Sequence, residues 1–118
     1  MINVDRPIAE RTRGEIENKL KGMGDYVKMS YLQRALKSHL DFDSKKFALI
    51  KLAEIYEDRK MYMEAAKMIK SAAEINTTFK DKIKDFMKAV ELNVKAGDFI
   101  ESDRIFAQAL ALGNEREK

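Results

Sequence analysis

The near absence of proline is the feature of this sequence that most constrains its fold. The only proline is Pro7, and none interrupts the sequence from Glu10 onward. Proline is the residue that helix interiors tolerate least, whereas Ala, Leu, Met, Glu and Lys, which favour helices, dominate here. No segment alternates apolar and polar residues for long enough to predict a strand. The sequence therefore predicts an all-α protein.

Composition and length limit the class of protein further. The chain has 118 residues, of which 45% are hydrophobic and 36% are charged. Such a chain is too apolar to be disordered. It contains no stretch of about 18 uncharged apolar residues, which is the length that a membrane-spanning helix requires. No apolar segment near the N-terminus has the length of a signal peptide. We expect a single soluble, cytoplasmic domain over residues 1–118.

Local signals divide the chain into about six helices. Thr12 with Glu15 forms a candidate capping box, Asp43 is a candidate N-cap, and Gly22 and Gly97 are candidate helix ends. The helices predicted from these signals span about 7–22, 25–39, 44–58, 61–75, 79–96 and 98–112.

An aromatic anchor recurs with a nearly constant period. Tyr26, Tyr62 and Phe99 occupy matching positions and lie 36 and 37 residues apart. A period of this size is typical of stacked helical hairpins, in which each hairpin buries its apolar face against the next. The period predicts three helix-turn-helix units at about 10–40, 44–77 and 79–112. The ends, 1–6 and 113–118, are expected to be flexible.

The middle unit carries the clearest pattern of small and large apolar residues. Its pattern positions are Leu49, Leu52, Ala53, Tyr56, Ala65, Ile69 and Ala72. This pattern resembles the tetratricopeptide repeat. The third unit is a looser copy, with Asn93 and Ser102 at two pattern positions, and the first has Met29 where a small residue is usual. The resemblance implies three antiparallel hairpins stacked as a short right-handed superhelix.

The same resemblance implies a binding surface. In this family the first helix of each hairpin lines a concave groove that receives a partner protein. Carried over to this chain, the candidate groove residues are Phe47, Ile50, Glu54, Lys84, Met87 and Lys88. We expect a peptide or an amphipathic helix as the ligand. The alternative is that Phe47, Ile50 and Met87 only fill space between neighbouring hairpins.

One variant of the family grips a C-terminal carboxylate with Lys and Asn side chains. Asn18, Lys84 and Lys88 match three of those positions, but Gly14 and Lys51 stand where a lysine and an asparagine are required. We do not expect that activity here.

Nucleic acid is the alternative partner. Lys80, Lys84 and Lys88 recur every four residues and so share one helical stripe, and the net charge is +3. The segment 95–106 also resembles part of a pentatricopeptide repeat, a family that binds single-stranded RNA. Three units would contact only about three bases.

Catalysis and cofactor binding have no motif to support them. The chain has no cysteine and one histidine, His39, so thiolate chemistry and multi-histidine metal sites are excluded. No phosphate-binding loop or nucleophile elbow occurs. We predict a protein that is not an enzyme and needs no cofactor or metal. After Leu112 too few residues remain for a solvating helix, so a homodimer through Ile105, Leu110 or Leu112 of the last hairpin is a further possibility.

Overall fold

The computed structural model describes residues 6–116. Within that range the chain forms six α-helices and no strand, which confirms the all-α prediction. No helix among the described residues is both long and apolar enough to cross a bilayer. The helices are α1 (Arg13–Leu20), α2 (Asp25–Leu36), α3 (Phe42–Asp58), α4 (Tyr62–Ile75), α5 (Phe79–Ala96) and α6 (Phe99–Arg116).

Side-chain caps fix where several of these helices begin. The Thr12 hydroxyl accepts a hydrogen bond from the Glu15 backbone N–H, and the Glu15 carboxylate accepts one from the Thr12 N–H, so the predicted capping box is confirmed. The predicted N-cap Asp43 is wrong. Asp41 caps α3 by accepting a bond from the Ser44 N–H at 2.8 Å, and Asp43 lies inside the first turn.

The described residues before α1 are not helical, and the first predicted helix, 7–22, is therefore too long. Ile8 is buried at 3% exposure, and its N–H donates to the Ser38 hydroxyl. Tyr31 donates to the Glu10 carboxylate at 2.6 Å, and Arg34 donates to the Arg6 carbonyl. Residues 6–11 thus cover the N-terminal end of the molecule. At the other end, α6 continues beyond the predicted boundary at 112 to Arg116.

The turns after α3 and α5 have the same backbone form. Lys60 and Gly97, 37 residues apart, both adopt left-handed conformations, with φ of 60° and 79°. In each turn the next N–H reaches back to the carbonyl five residues earlier: Met61 to Tyr56, and Asp98 to Asn93. The sequence period is therefore present in the backbone of these two turns.

Neighbouring helices pack in chain order from α3 onward. Helix α3 packs against α4, α4 against α5, and α5 against α6. The first pair differs, since α1 and α2 each pack against α3 and at most marginally against each other. Met29 stands where the later units have the buried small residues Ala65 and Ser102, and its bulk opposes a close approach of α1 and α2.

The core follows this order along the molecule. Its fully buried large side chains include Ile16, Leu32, Leu52, Leu92 and Ile105, one from each helix except α4. Helix α4 contributes mostly alanines, which allow its neighbours to approach closely. The radius of gyration is 15.1 Å, against about 13.5 Å for a globular chain of this length. The helices therefore form an elongated array.

Candidate functional site

Helices α3 and α5 lie side by side, bridged by ion pairs. Near the start of α3, Lys46 lies 3.5 Å from Asp85, and near its end Glu57 lies 3.3 Å from Lys88 and 3.7 Å from Lys95. A residue in the N-terminal half of α3 pairs with one in the N-terminal half of α5, and a residue at the end of α3 pairs with later residues of α5. The two helices therefore run in the same direction. Long charged side chains bridge the gap between the helices, whose backbones are in at most marginal contact.

Helix α1 joins the same side of the molecule. The Arg13 guanidinium lies over the ring of Phe47, 4.9 Å from its centroid, which is cation–π geometry. We call the solvent-facing sides of α1, α3 and α5 the inner surface. These three helices are the ones that the predicted hairpins would place along the concave groove.

A shallow pocket of about 360 Å³ lies on the inner surface between α1 and α3. Phe47 and Ile50 form part of its wall, and both are half-buried and pack against the core. They therefore combine the two roles that the sequence left open, since each fills core space and still presents apolar surface. The pocket residues are Arg13, Phe42, Asp43, Lys46, Phe47 and Ile50.

The predicted groove residues of α5 differ in their solvent exposure and in whether they form ion pairs. Met87 is 40% exposed. Lys84 is exposed and has no ion-pair partner among the described residues. Its neighbour Asp85 accepts from Asn76 at 2.7 Å and pairs with Lys46. Lys88 is half-buried and engaged by Glu57.

The remaining predicted residue, Glu54, is exposed near the middle of α3. Its carboxylate lies 3.8 Å from the Lys51 ammonium, one turn earlier on the same helix. This is a surface ion pair, which contributes about 0–1 kcal/mol and leaves both groups open to solvent. The six predicted residues thus lie on α3 and α5, and the structure brings Phe47 and Ile50 together in one pocket.

Sequence analysis missed several residues of this surface, among them Arg13, Phe42, Lys46 and Glu57. Phe42 has a detectable signal, because it and Phe79 begin α3 and α5 at the same repeat position, 37 residues apart. Both rings are exposed, at 46% and 41%. Arg13 and Glu57 contact side chains on other helices, and nothing in their local sequence reveals those contacts.

The pocket on the inner surface is lined by apolar and charged side chains. Among the described residues no group of three His, Asp or Glu side chains is arranged to hold a metal ion. The surface offers an apolar pocket, one half-exposed methionine and charges that are largely paired with each other. No protein-family model matches the sequence, and neither the curated proteins nor the solved structures contain a significant match.

Proposed function

We propose that this protein is a noncatalytic interaction module that binds a peptide or an amphipathic helix of another protein along its inner surface. The proposal keeps the tetratricopeptide-like arrangement as its framework, with α1, α3 and α5 as the groove helices. The observation that carries it is the pocket between α1 and α3. Phe42, Phe47 and Ile50 present apolar surface there, beside the charged Arg13 and Lys46. Apolar anchors with charged neighbours are what an amphipathic segment recognises.

The charges on this surface favour a ligand of a particular kind. Lys46, Lys88 and Lys95 each lie within 4 Å of a carboxylate of the protein, so they offer little net charge. Lys84, for which residues 6–116 provide no ion-pair partner, lies one turn from Met87, which shares the repeat position of Ile50. A segment with apolar anchors and an acidic residue near one of them matches this arrangement.

RNA is the less supported partner. A phosphate backbone binds by displacing counterions from free lysines and arginines. Here three lysines of the inner surface are already engaged by Asp85 and Glu57, and a phosphate would have to displace those carboxylates.

The test is a selection of peptides from a displayed random library on the immobilised protein. Selected peptides are then titrated against the wild type and against Met87→Ala and Phe47→Ala. We expect both variants to weaken binding by about tenfold, as loss of an interface anchor does. Met87 is the cleaner probe, because Phe47 also packs against the core. Circular dichroism shows whether Phe47→Ala keeps its helicity.

The matched control is Ile100→Ala, which removes an apolar side chain that is 76% exposed on α6, away from the inner surface. Its affinity for the selected peptides should equal that of the wild type. Peptides that bind Met87→Ala as tightly as the wild type would refute the groove. Tight binding of single-stranded RNA that falls steeply between two salt concentrations would favour the alternative.

A further inference from the structure

Residues 6–11 lie before α1 and are held by side chains from the rest of the protein. We call this segment the N-terminal strap. Among the described residues, no backbone group of the strap bonds to a backbone group outside it. Instead, Arg34 donates to one strap carbonyl at 3.1 Å, the Ser38 hydroxyl accepts from a strap N–H at 3.1 Å, and the Ser44 hydroxyl donates to a second strap carbonyl at 3.3 Å. Bound extended peptides are held by backbone contacts of this kind, which tolerate many sequences.

Two side chains of the strap provide contacts that depend on residue type. Ile8 is 3% exposed and belongs to the core, and the Glu10 carboxylate accepts a hydrogen bond from the Tyr31 hydroxyl at 2.6 Å. Burial and this hydrogen bond both raise the pKa of Tyr31, so its hydroxyl remains a donor at neutral pH. The residue between them, Ala9, is exposed. In an extended segment, residues two apart share a side. The contacts therefore select an apolar residue followed two positions later by an acid.

The groups that hold the strap belong to elements with their own support. Tyr31 and Arg34 lie within α2, and Ser44 lies in the first turn of α3. Ser38 follows α2 and donates its hydroxyl proton to the Arg34 carbonyl at 3.0 Å, which leaves its oxygen free to accept from the strap. Another segment with the same chemistry would therefore meet the same donors and acceptors.

An open pocket of about 250 Å³ adjoins the strap, between it and the helices α1 and α2. Lys19, Met23 and Val27 form part of its wall, and Ala9 of the strap lines it as well. The methyl group of Ala9 leaves this volume unfilled. A segment with a larger apolar residue at the place of Ala9 would contact Met23 and Val27, which the strap itself does not cover.

We propose that the site formed by Tyr31, Arg34, Ser38 and Ser44 binds an extended segment of another protein, and that the strap occupies this site as an intramolecular ligand. The segment that fits has an apolar residue, then a larger apolar residue than alanine, then an acid. A tethered ligand competes at an effective concentration of the order of millimolar. The contact with the open pocket is what enables a partner segment to displace the strap. The proposal is independent of the inner surface.

Fluorescence anisotropy with a labelled peptide of residues 6–12 tests the proposal on the full chain. The wild type should bind this peptide weakly, since the strap fills the site. Ile8→Ala weakens the strap and should bind the peptide at least tenfold more tightly. For that variant, we expect the peptide carrying Ala9→Leu to bind about tenfold more tightly than the parent peptide, because the leucine is buried in the pocket. The peptide carrying Glu10→Gln should bind about tenfold more weakly.

Two further variants of the full chain separate recognition from a folding defect. Glu10→Gln weakens the strap but keeps Ile8 buried, and it should also bind the parent peptide more tightly than the wild type does. Ala9→Ser is the matched control, which keeps both strap contacts and should bind as weakly as the wild type. Tyr31→Phe, combined with Ile8→Ala, should bind the parent and the Glu10→Gln peptides equally. A merely structural role of Tyr31 would not remove this discrimination.

Three results would overturn the proposal. The first is a parent peptide that binds neither Ile8→Ala nor Glu10→Gln at millimolar concentration while circular dichroism shows both chains to be helical. The second is equal binding of the parent and the Glu10→Gln peptides to Ile8→Ala. The third is a wild type that sediments as a dimer when Ile8→Ala is a monomer, since the strap of a second copy would then be the ligand. None of these results bears on the inner surface, which Met87→Ala tests.

Discussion

At the residue scale, two acids close to the start of α3 have different roles. Asp41 accepts a hydrogen bond from the Ser44 N–H, and that bond holds the pKa of its carboxyl below the ordinary value of 3.8. Asp43, two residues on, lies within the first turn and makes no such cap. Glu15 is a second case, because backbone N–H groups of Arg11 and Thr12 donate to its carboxylate and lower its pKa below 4.5.

The Asp41 cap predicts part of the acid sensitivity of the fold. A pKa that is lower in the folded state contributes stability above the unfolded value of 3.8, and this stability is lost as the pH falls through the folded value. Asp41→Asn keeps a good N-cap without the ionisable group, so its stability should change little at neutral pH and fall less steeply in acid. Urea midpoints measured between about pH 6 and pH 2 check this. An acid limb of Asp41→Asn that is identical to that of the wild type would contradict the assignment.

At the scale of the element, the two equivalent turns differ in one residue. Lys60 holds a left-handed conformation that suits glycine, which stands at the matching position 97. No atom lies within 4 Å of where a Cβ would be on Gly97, so substitution there is limited by the backbone alone. The α3–α4 turn is therefore strained by its residue type, and the α5–α6 turn is not.

Exchanging the residue types should shift stability in opposite directions. We expect Lys60→Gly to raise the free energy of unfolding by about 0.5–1 kcal/mol and Gly97→Ala to lower it by about 1 kcal/mol. Urea unfolding with an unchanged m-value is the measurement. A destabilised Lys60→Gly would show that the lysine side chain contributes more than its backbone costs.

Local signals explain which elements the sequence predicts well. The Thr12–Glu15 box and the Gly97 helix end depend on residues within one turn, so they are visible in the sequence. Asp41 and Asp43 could not be separated, since both are acids just before an apolar run. The contact of Arg13 with Phe47 joins residues far apart in the chain, so the sequence does not reveal the pocket that they line.

At the scale of the whole molecule, the two ends of the array are unlike. At the N-terminal end, the nonhelical segment 6–11 buries Ile8 and is hydrogen-bonded to Ser38, Tyr31 and Arg34 of α2 and the residues after it. The C-terminal end exposes Phe106 and Leu110. In an array whose members contact mainly their neighbours, each end is stabilised by what covers it.

Because helices pack mainly against their neighbours, we expect a destabilising substitution at one end to lower the stability of the helices at that end only. Ile8→Ala removes a buried side chain, which costs about 2–4 kcal/mol where the site cannot collapse. Because α1 and α2 pack against α3 and make no substantial contact with α5 or α6, amide hydrogen exchange should accelerate in α1 and α2 and change little in α5 and α6. Ala9→Ser, at the exposed neighbouring position, should leave every helix as protected as in the wild type. Equal acceleration in all six helices would mean that the chain opens as one cooperative unit, and the end segment would then stabilise the whole fold rather than one end of it.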